Sequence, residues 1–156
     1  MRTGTAVTLA VVLLGAPGGA TLRAQTPAAT TTTAAAKPFA VEYYYKARWG
    51  SFDEFKALFR KNHYPVLLKE QALGRIVRLA VDSPINHGTE DGRWDMRVTI
   101  VWKDAATAHD GFDNASIVKQ LYPDQAAFRK EEQHRFELLL AHWDLPISAE
   151  DLSAWR

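Results

Sequence analysis

The strongest constraint on the fold is a period of two in two separate stretches of the chain, Phe39–Arg48 and Trp94–Trp102. In each stretch every second residue is apolar or aromatic: Phe39, Val41, Tyr43 and Tyr45 in the first, and Trp94, Met96, Val98, Ile100 and Trp102 in the second. Successive side chains of a strand point to opposite faces, so the pattern predicts two strands that bury these residues. The stretch Ile76–Val81, apolar except for Arg78, predicts a further strand between them.

A helical pattern follows the first strand. Ser51 and Glu54 have the spacing of a capping box, in which each side chain bonds the backbone near the other. The apolar stripe of the helix consists of Phe52, Phe55, Leu58 and Phe59. Pro65 predicts a kink because proline has no amide proton for the helical ladder, and Gly74 predicts the end of the helix.

The second half of the chain predicts two more helices and a last strand. Asp104 is placed to cap a short helix. A long helix is expected from Gln125 to His142. Its predicted buried stripe is Phe128, Phe136, Leu139, Leu140 and Trp143. The tail Trp143–Ser148 predicts a short edge strand, a position where Pro146 is tolerated.

The predicted element order is typical of a ferredoxin-like α+β sandwich, an antiparallel four-stranded sheet with helices on one face. The other sheet face carries Tyr44, Thr99 and Val101 among the charged residues Glu42, Lys46, Arg78, Asp95, Arg97 and Lys103. This face is too aromatic and apolar to stand exposed. A second copy of the chain would cover it, so we expect a homodimer joined sheet to sheet.

The element order, the aromatic first strand and the sequence Asn62-His63-Tyr64-Pro65 resemble the dimeric α/β-barrel superfamily over roughly residues 39–148. The resemblance implies two ferredoxin-like units packed face to face, in an exported bacterial branch. Members of that superfamily include monooxygenases that use no cofactor, haem-dependent enzymes, lactone isomerases and stress proteins. The fold therefore does not select a function.

The first 24 residues predict a secretory signal peptide. Arg2 precedes the apolar run Ala6–Leu14, which is followed by small residues and a cleavage point after Ala24. The run is shorter than the roughly 20 residues that span a bilayer. We expect an exported protein, periplasmic or secreted, that leaves the membrane when the signal is removed. Residues 25–37, rich in Ala and Thr, predict a disordered leader, and residues 38–156 a single domain.

Charge and composition exclude several partners and cofactors. Loss of the signal removes two of the 19 basic residues and none of the 18 acidic ones, so the formal charge becomes −1 and favours no nucleic acid. The absence of cysteine excludes disulfides and iron–sulfur clusters. Glu131 and His134 have a metal-site spacing, but no second helix repeats it, so no metal site is predicted. No cofactor is predicted, and haem stays open on fold grounds alone.

His63 and Arg97 are the candidate catalytic residues. The resemblance implies that a histidine near this helix end faces the cavity, where His63 would act as a proton shuttle. Arg97 would orient an anionic or enolisable substrate through a forked hydrogen bond. The alternative for His63 is a structural one, in which it caps the broken helix or bonds a backbone carbonyl.

Three other residues are candidates for ligand contact. Tyr44 is expected to line the cavity, and Arg78 and Asp95 to reach a ligand from neighbouring strands. The alternative is a structural ion-pair network that joins Glu42, Arg78, Asp95 and Arg97 across the sheet.

Two functions of different classes follow from these observations. One is a homodimeric module that binds a small organic ligand or closes its barrel on itself. The other is an enzyme of the cofactor-independent monooxygenase or isomerase kind, with His63 as its proton shuttle. Nothing in the sequence forces catalysis, so we place the binding or structural module first.

Overall fold

The computed structural model describes residues 37–86 and 88–156. Its elements in chain order are β1 (Phe39–Ala47), α1 (Phe52–Leu58), a π-helical segment (Phe59–His63), α2 (Tyr64–Ala72), β2 (Ile76–Asp82), β3 (Met96–Trp102), α3 (Ala105–His109), α4 (Ala115–Leu121), α5 (Gln125–Glu137), β4 (Leu139–Ile147) and a 3₁₀ turn (Leu152–Trp155). The proposed signal peptide and all but the last residue of the proposed leader lie outside the described residues, and both stay predictions.

The four strands form one antiparallel sheet in the order β2-β3-β1-β4, and the helices lie on one of its faces. Helical connections join β1 to β2 and β3 to β4, so each pair of strands joined by helices runs in the same direction, and β1 and β3 occupy the centre. This arrangement is the ferredoxin-like α+β fold, which confirms the fold class expected from the element order.

The core lies between the helices and the inner sheet face. Tyr45 of β1, together with Met96 and Val98 of β3, packs against Phe55 and Phe59 of the helices. These residues belong to the two alternating stretches and to the predicted helical stripe. The sequence pattern therefore identified the inner face correctly, including the place of Tyr45 beneath the helices.

The start of the first helix differs from the prediction. The Ser51 side chain makes no capping hydrogen bond, and the Glu54 carboxylate instead lies 2.8 Å from Nε2 of His134 on α5. The capping box is therefore wrong, because Glu54 has a tertiary partner. The break before Pro65 is confirmed as the π-helical segment, and Gly74 ends the helical region with a φ of 72°, which glycine adopts without strain.

The last helix is shorter than expected, and the strand after it is longer. α5 ends at Glu137, and the chain enters β4 at Leu139, where it pairs with β1. Phe136 and Leu140 of the predicted stripe are half exposed, whereas Arg135 is 2% exposed. The leucine-rich sequence at this point is compatible with a helix or a strand. It forms a strand because its backbone hydrogen-bonds to β1.

The alternation of the third strand also begins later than expected. β3 starts at Met96, and the Trp94 ring packs edge-on to Tyr44, with centroids 5.5 Å apart, on the outer sheet face. The placement of Trp94 on the inner face is therefore wrong. Hydrogen bonds between the side chains of Arg93 and Asp95 and the backbone of Ala47 hold the segment just before β3 in place.

Candidate functional site

Two candidate surfaces lie on opposite sides of the sheet. The helices cover the inner side, and no helix of residues 37–86 or 88–156 lies on the outer side, here called the open sheet face. The strand registers place these side chains on the open sheet face: Ala40, Glu42, Tyr44 and Lys46 of β1, Arg78, Ala80 and Asp82 of β2, Arg97, Thr99 and Val101 of β3, and Trp143, Leu145 and Ile147 of β4.

The predicted catalytic pair is separated by the sheet. Arg97 lies on the open sheet face, whereas the His63 ring packs 5.1 Å from the ring of Phe59 in the inner core. One chain therefore does not bring His63 and Arg97 into one site. Tyr44 and Arg78 share the open sheet face with Arg97 and are candidates for the same surface.

Tyr44 is the centre of an aromatic cluster on the open sheet face. Its ring stacks on Trp143 of β4 with centroids 5.3 Å apart and planes 3° from parallel. The Trp94 ring meets Tyr44 nearly at a right angle. Three large rings thus stand on the outer side of β1, an arrangement typical of a contact surface for another molecule.

An ion-pair network borders this cluster. The Tyr44 hydroxyl donates to Glu42 over 2.6 Å, and this hydrogen bond is the largest cause that raises the pKa of Tyr44. The Arg97 guanidinium lies 3.1 Å from Glu42 and 3.0 Å from Asp82. The link between Glu42 and Arg97 agrees with the ion-pair network considered from the sequence. Asp82 was not predicted, because only the register of β2 with β3 places it opposite Arg97.

The predicted ligand residue Asp95 is engaged within the chain. Its carboxylate accepts a hydrogen bond from the Ala47 amide over 2.8 Å and two from Nη1 of Arg93 over 2.8 and 2.7 Å. Arg93, which the sequence analysis did not single out, is 3% exposed and also donates to the Ala47 carbonyl. Asp95 thus holds the end of β1 to the start of β3.

A cavity of about 720 Å³ lies at the other end of the open sheet face. It is lined by Lys37 and Arg78 and otherwise by apolar and small side chains, among them Phe39, Ala40, Thr99, Val101 and Ile147. Arg78 is exposed and forms no ion pair with any residue in 37–86 or 88–156. The cavity therefore combines apolar walls with two cationic side chains, Lys37 and Arg78.

His63 ends the π-helical segment on the inner side. Burial and, to a smaller extent, the nearby Arg135 guanidinium lower the pKa of His63 to about 4, against the opposing effect of the Glu132 carboxylate. The imidazole is therefore neutral at pH 7. π-Helical turns within α-helices are frequent at functional sites, which makes this histidine a candidate site separate from the open sheet face.

The lowered pKa of His63 predicts a pH-dependent stability. Between pH 6.5 and about 4 the unfolded chain protonates His63 and the folded chain does not, so acid favours unfolding across that window. We expect the free energy of unfolding to fall by about 2 kcal/mol, after allowance for partial solvent access, as the pH falls through the window. Urea denaturation at several pH values would measure this.

His63→Gln should remove this part of the pH dependence. The exposed His109 offers a matched control, since His109→Gln is expected to keep the decline of the parent protein. Parallel pH profiles for His63→Gln and the parent would show that His63 is not held neutral by burial.

Glu131 and His134, which have a metal-site spacing, face different partners. Glu131 accepts hydrogen bonds from Lys61 and Asn62, and His134 lies against Glu54. Both residues connect α5 to the helical region that begins with α1. Within the described ranges, no group of three potential metal ligands comes together.

The fold and the open sheet face define a ferredoxin-like α+β domain with an aromatic surface that no helix of the described part of the chain covers. It is similar to a dimeric ferredoxin-like protein from an uncultured marine organism (TM-score 0.49, 5% identity, covering 73% of this chain and 90% of that one). It is also similar to a dimeric ferredoxin-like protein of unknown function from Thermobifida fusca (TM-score 0.42, 14% identity, 73% and 92% covered). A third similar structure is a NIPSNAP family protein from Agrobacterium tumefaciens (TM-score 0.42, 20% identity, 78% and 93% covered).

No protein-family profile matches the sequence, and no curated protein sequence shows a significant match. Among the helices of the described residues, none has the length and apolar character to cross a membrane.

Proposed function

We propose that this protein is a homodimer whose two sheets pack face to face and enclose a chamber for a small organic ligand. The observation that carries the proposal is the uncovered aromatic cluster of Tyr44, Trp94 and Trp143 on the open sheet face. We also propose that the protein acts after export, in the periplasm or outside the cell, because its N-terminus has the pattern of a signal peptide.

The exposed apolar residues of the open sheet face indicate that another protein surface packs against it. Leu145 is 46% and Ile147 40% exposed along β4, next to the stacked rings of Tyr44 and Trp143. Large contiguous apolar surface is rare on monomers. An antiparallel sheet buries such a face most simply against a second sheet.

The charged groups on the open sheet face are compatible with burial against a second copy. Arg97 is already paired with Glu42 and Asp82, and Lys46 is paired with Glu90. Paired charges cost much less to bury than free ones. Arg78 is the exception, and in a dimer its guanidinium would face the chamber.

The cavity beside Arg78 supports the binding part of the proposal. Its volume of about 720 Å³ lies within the range of roughly 300–1,000 Å³ typical of small-molecule sites. Apolar walls with two cationic side chains, Lys37 and Arg78, favour a small apolar molecule with a polar or anionic end.

Trp143→Ala is expected to weaken the dimer by about 2 kcal/mol, roughly thirtyfold in the dissociation constant, because a central tryptophan carries a large share of an interface. Sedimentation equilibrium over a range of concentrations would measure this. Phe136→Ala, a half-exposed aromatic on the helical side, is the control and should leave dimerisation unchanged. A monomeric parent protein at micromolar concentration would refute the proposed architecture.

Native mass spectrometry of the purified protein would test the ligand. A dimer with additional mass that is lost on Arg78→Gln would support a chamber ligand. A dimer without additional mass, unchanged by addition of small carboxylates, would instead indicate a barrel filled by its own side chains.

A second candidate function rests on the neutral imidazole of His63 at the end of the π-helical segment. In this reading the protein is a cofactor-independent monooxygenase or isomerase, and His63 removes a proton from an enolisable substrate. An anionic substrate beside the His63 imidazole would raise the pKa of the imidazole and make it a stronger base. Deuterium exchange into an enolisable diketone, followed by NMR, tests this: His63→Asn should abolish exchange, and equal exchange in both proteins would exclude the role.

A further inference from the structure

A second cavity lies on the helical side of the sheet, away from the open sheet face. This edge groove has a volume of about 340 Å³ and runs between β2 and the helical region from α1 to α2. Its apolar wall consists of Phe59, Leu79, Val81 and Met96. Val81 is 49% exposed, so a small molecule reaches this wall from solvent without displacing a core side chain.

Two cations stand on the helical side of the edge groove. Lys56 and Arg60 line it four residues apart, a spacing at which like charges repel on one helix face. Neither lies within ion-pair distance of an acidic side chain anywhere in the described ranges. The groove therefore carries two positive charges that nothing in the described chain neutralises.

The π-helical segment aligns a third polar group with these cations. Residues eight apart, such as Lys56 and Tyr64, lie about 80° apart around a regular α-helix. The wider turn of Phe59–His63 takes more residues per turn and reduces that offset. Tyr64 consequently lines the same groove.

We propose that the edge groove binds a small anionic amphiphile, a monocarboxylate with an unbranched apolar chain. The chain would lie on Phe59, Leu79 and Val81, and the carboxylate would accept hydrogen bonds from Lys56 and Arg60 at the rim. The volume holds about ten atoms other than hydrogen if each takes up roughly the volume of a water molecule. Octanoate has this size, and its single charge complements the unpaired cations.

Octanoate, 1-octanol and octylammonium form a matched series of probes for this site. They share the apolar chain and differ in charge. Two-dimensional NMR of the uniformly ¹⁵N-labelled protein would follow the amides of residues 56–64 and 79–81 during titration. We expect octanoate to shift the resonances of these amides and to bind about tenfold more tightly than octanol. The affinity for octanoate should fall as the salt concentration is raised. Octylammonium is expected not to bind.

The double substitution Lys56→Gln with Arg60→Gln should lower the affinity for octanoate about tenfold or more and leave the affinity for octanol unchanged. Both side chains lie on a helix surface, and the substitutions remove the repulsion between their positive charges. The variant is therefore expected to fold at least as stably as the parent. Arg129→Gln with Lys130→Gln on α5 removes the same charge from exposed positions outside the groove and should leave binding unchanged.

Three results would overturn the proposal. They are equal binding of octanoate and octanol, unchanged octanoate binding in the Lys56 and Arg60 variant, and shifts confined to amides outside the edge groove. Because the groove lies on the helical side, Trp143→Ala should not change octanoate binding. The site is thus tested independently of the dimer.

Discussion

Replacing Arg135 with alanine is expected to lower the free energy of unfolding by about 3–4 kcal/mol. Arg135 is 2% exposed on the inward face of α5. Its guanidinium donates two hydrogen bonds to Glu132, over 2.9 and 2.7 Å. It also packs near the rings of Phe55 and Phe59, with its central carbon 5.9 Å from each ring centroid. Alanine removes this packing and leaves a half-buried carboxylate without its partner.

Two further variants separate charge from packing at Arg135. Arg129→Ala, on the exposed side of α5, should change stability by less than about 0.5 kcal/mol. Arg135→Met combined with Glu132→Leu removes both charges while keeping most of the volume, so it should recover most of the loss. Because the proposed dimer would unfold in a way that depends on protein concentration, all variants must be compared at one concentration. A mild effect of Arg135→Ala, below about 1 kcal/mol, would contradict the structural role assigned here.

Replacing Arg93 with alanine is expected to destabilise the protein by about 3 kcal/mol. The Arg93 guanidinium bonds both oxygens of Asp95, donates to the Ala47 carbonyl over 3.0 Å, and stacks on the Trp49 ring at 4.1 Å. Its removal leaves a buried carbonyl and a half-buried carboxylate without these partners. Denaturation in urea, followed by tryptophan fluorescence and by circular dichroism, would measure the loss.

The geometry of Arg93 makes lysine a poor substitute. A single ammonium cannot reproduce the fork that reaches Asp95 and Ala47 together, so Arg93→Lys should recover less than half of the lost stability. Lys103→Ala, an exposed position just after β3, is the control and should be nearly neutral. Full rescue by lysine would mean that charge alone, without the forked hydrogen bonds, holds this corner.

The inner face of the sheet could be predicted because the information lies in neighbouring residues. Alternation identified Tyr45, Met96 and Val98 as core, and Gly74 marked a helix end with the positive φ that the chain needs there. The end of α5 could not be predicted in this way. The run from Leu138 to Trp143 suits a helix or a strand, and pairing with β1 decides between them.

The candidate site was predicted only in part, for the same reason. Tyr44 and Arg97 were assigned to the outer face, because strand alternation places them there. The separation of His63 from Arg97 depends on which side of the sheet the helices pack, a relation between distant segments. Asp82 meets Arg97 because of the register of β2 with β3, and Arg93 bonds the end of β1 because β1 and β3 meet there. Neither contact can be inferred from neighbouring residues in the sequence.

Sequence alone determined the order of the four strands and most of the side chains that face the helices, since hydrophobic periodicity acts within each segment; it did not predict α4. Tertiary structure decided which charges meet, where α5 gives way to β4, and that Arg135 belongs in the core. A buried arginine is recognisable only when its partner Glu132 and the surrounding rings are in place, because burial of a charge is tolerable only after pairing. Periodicity is a local property, and charge pairing depends on the packing of distant segments.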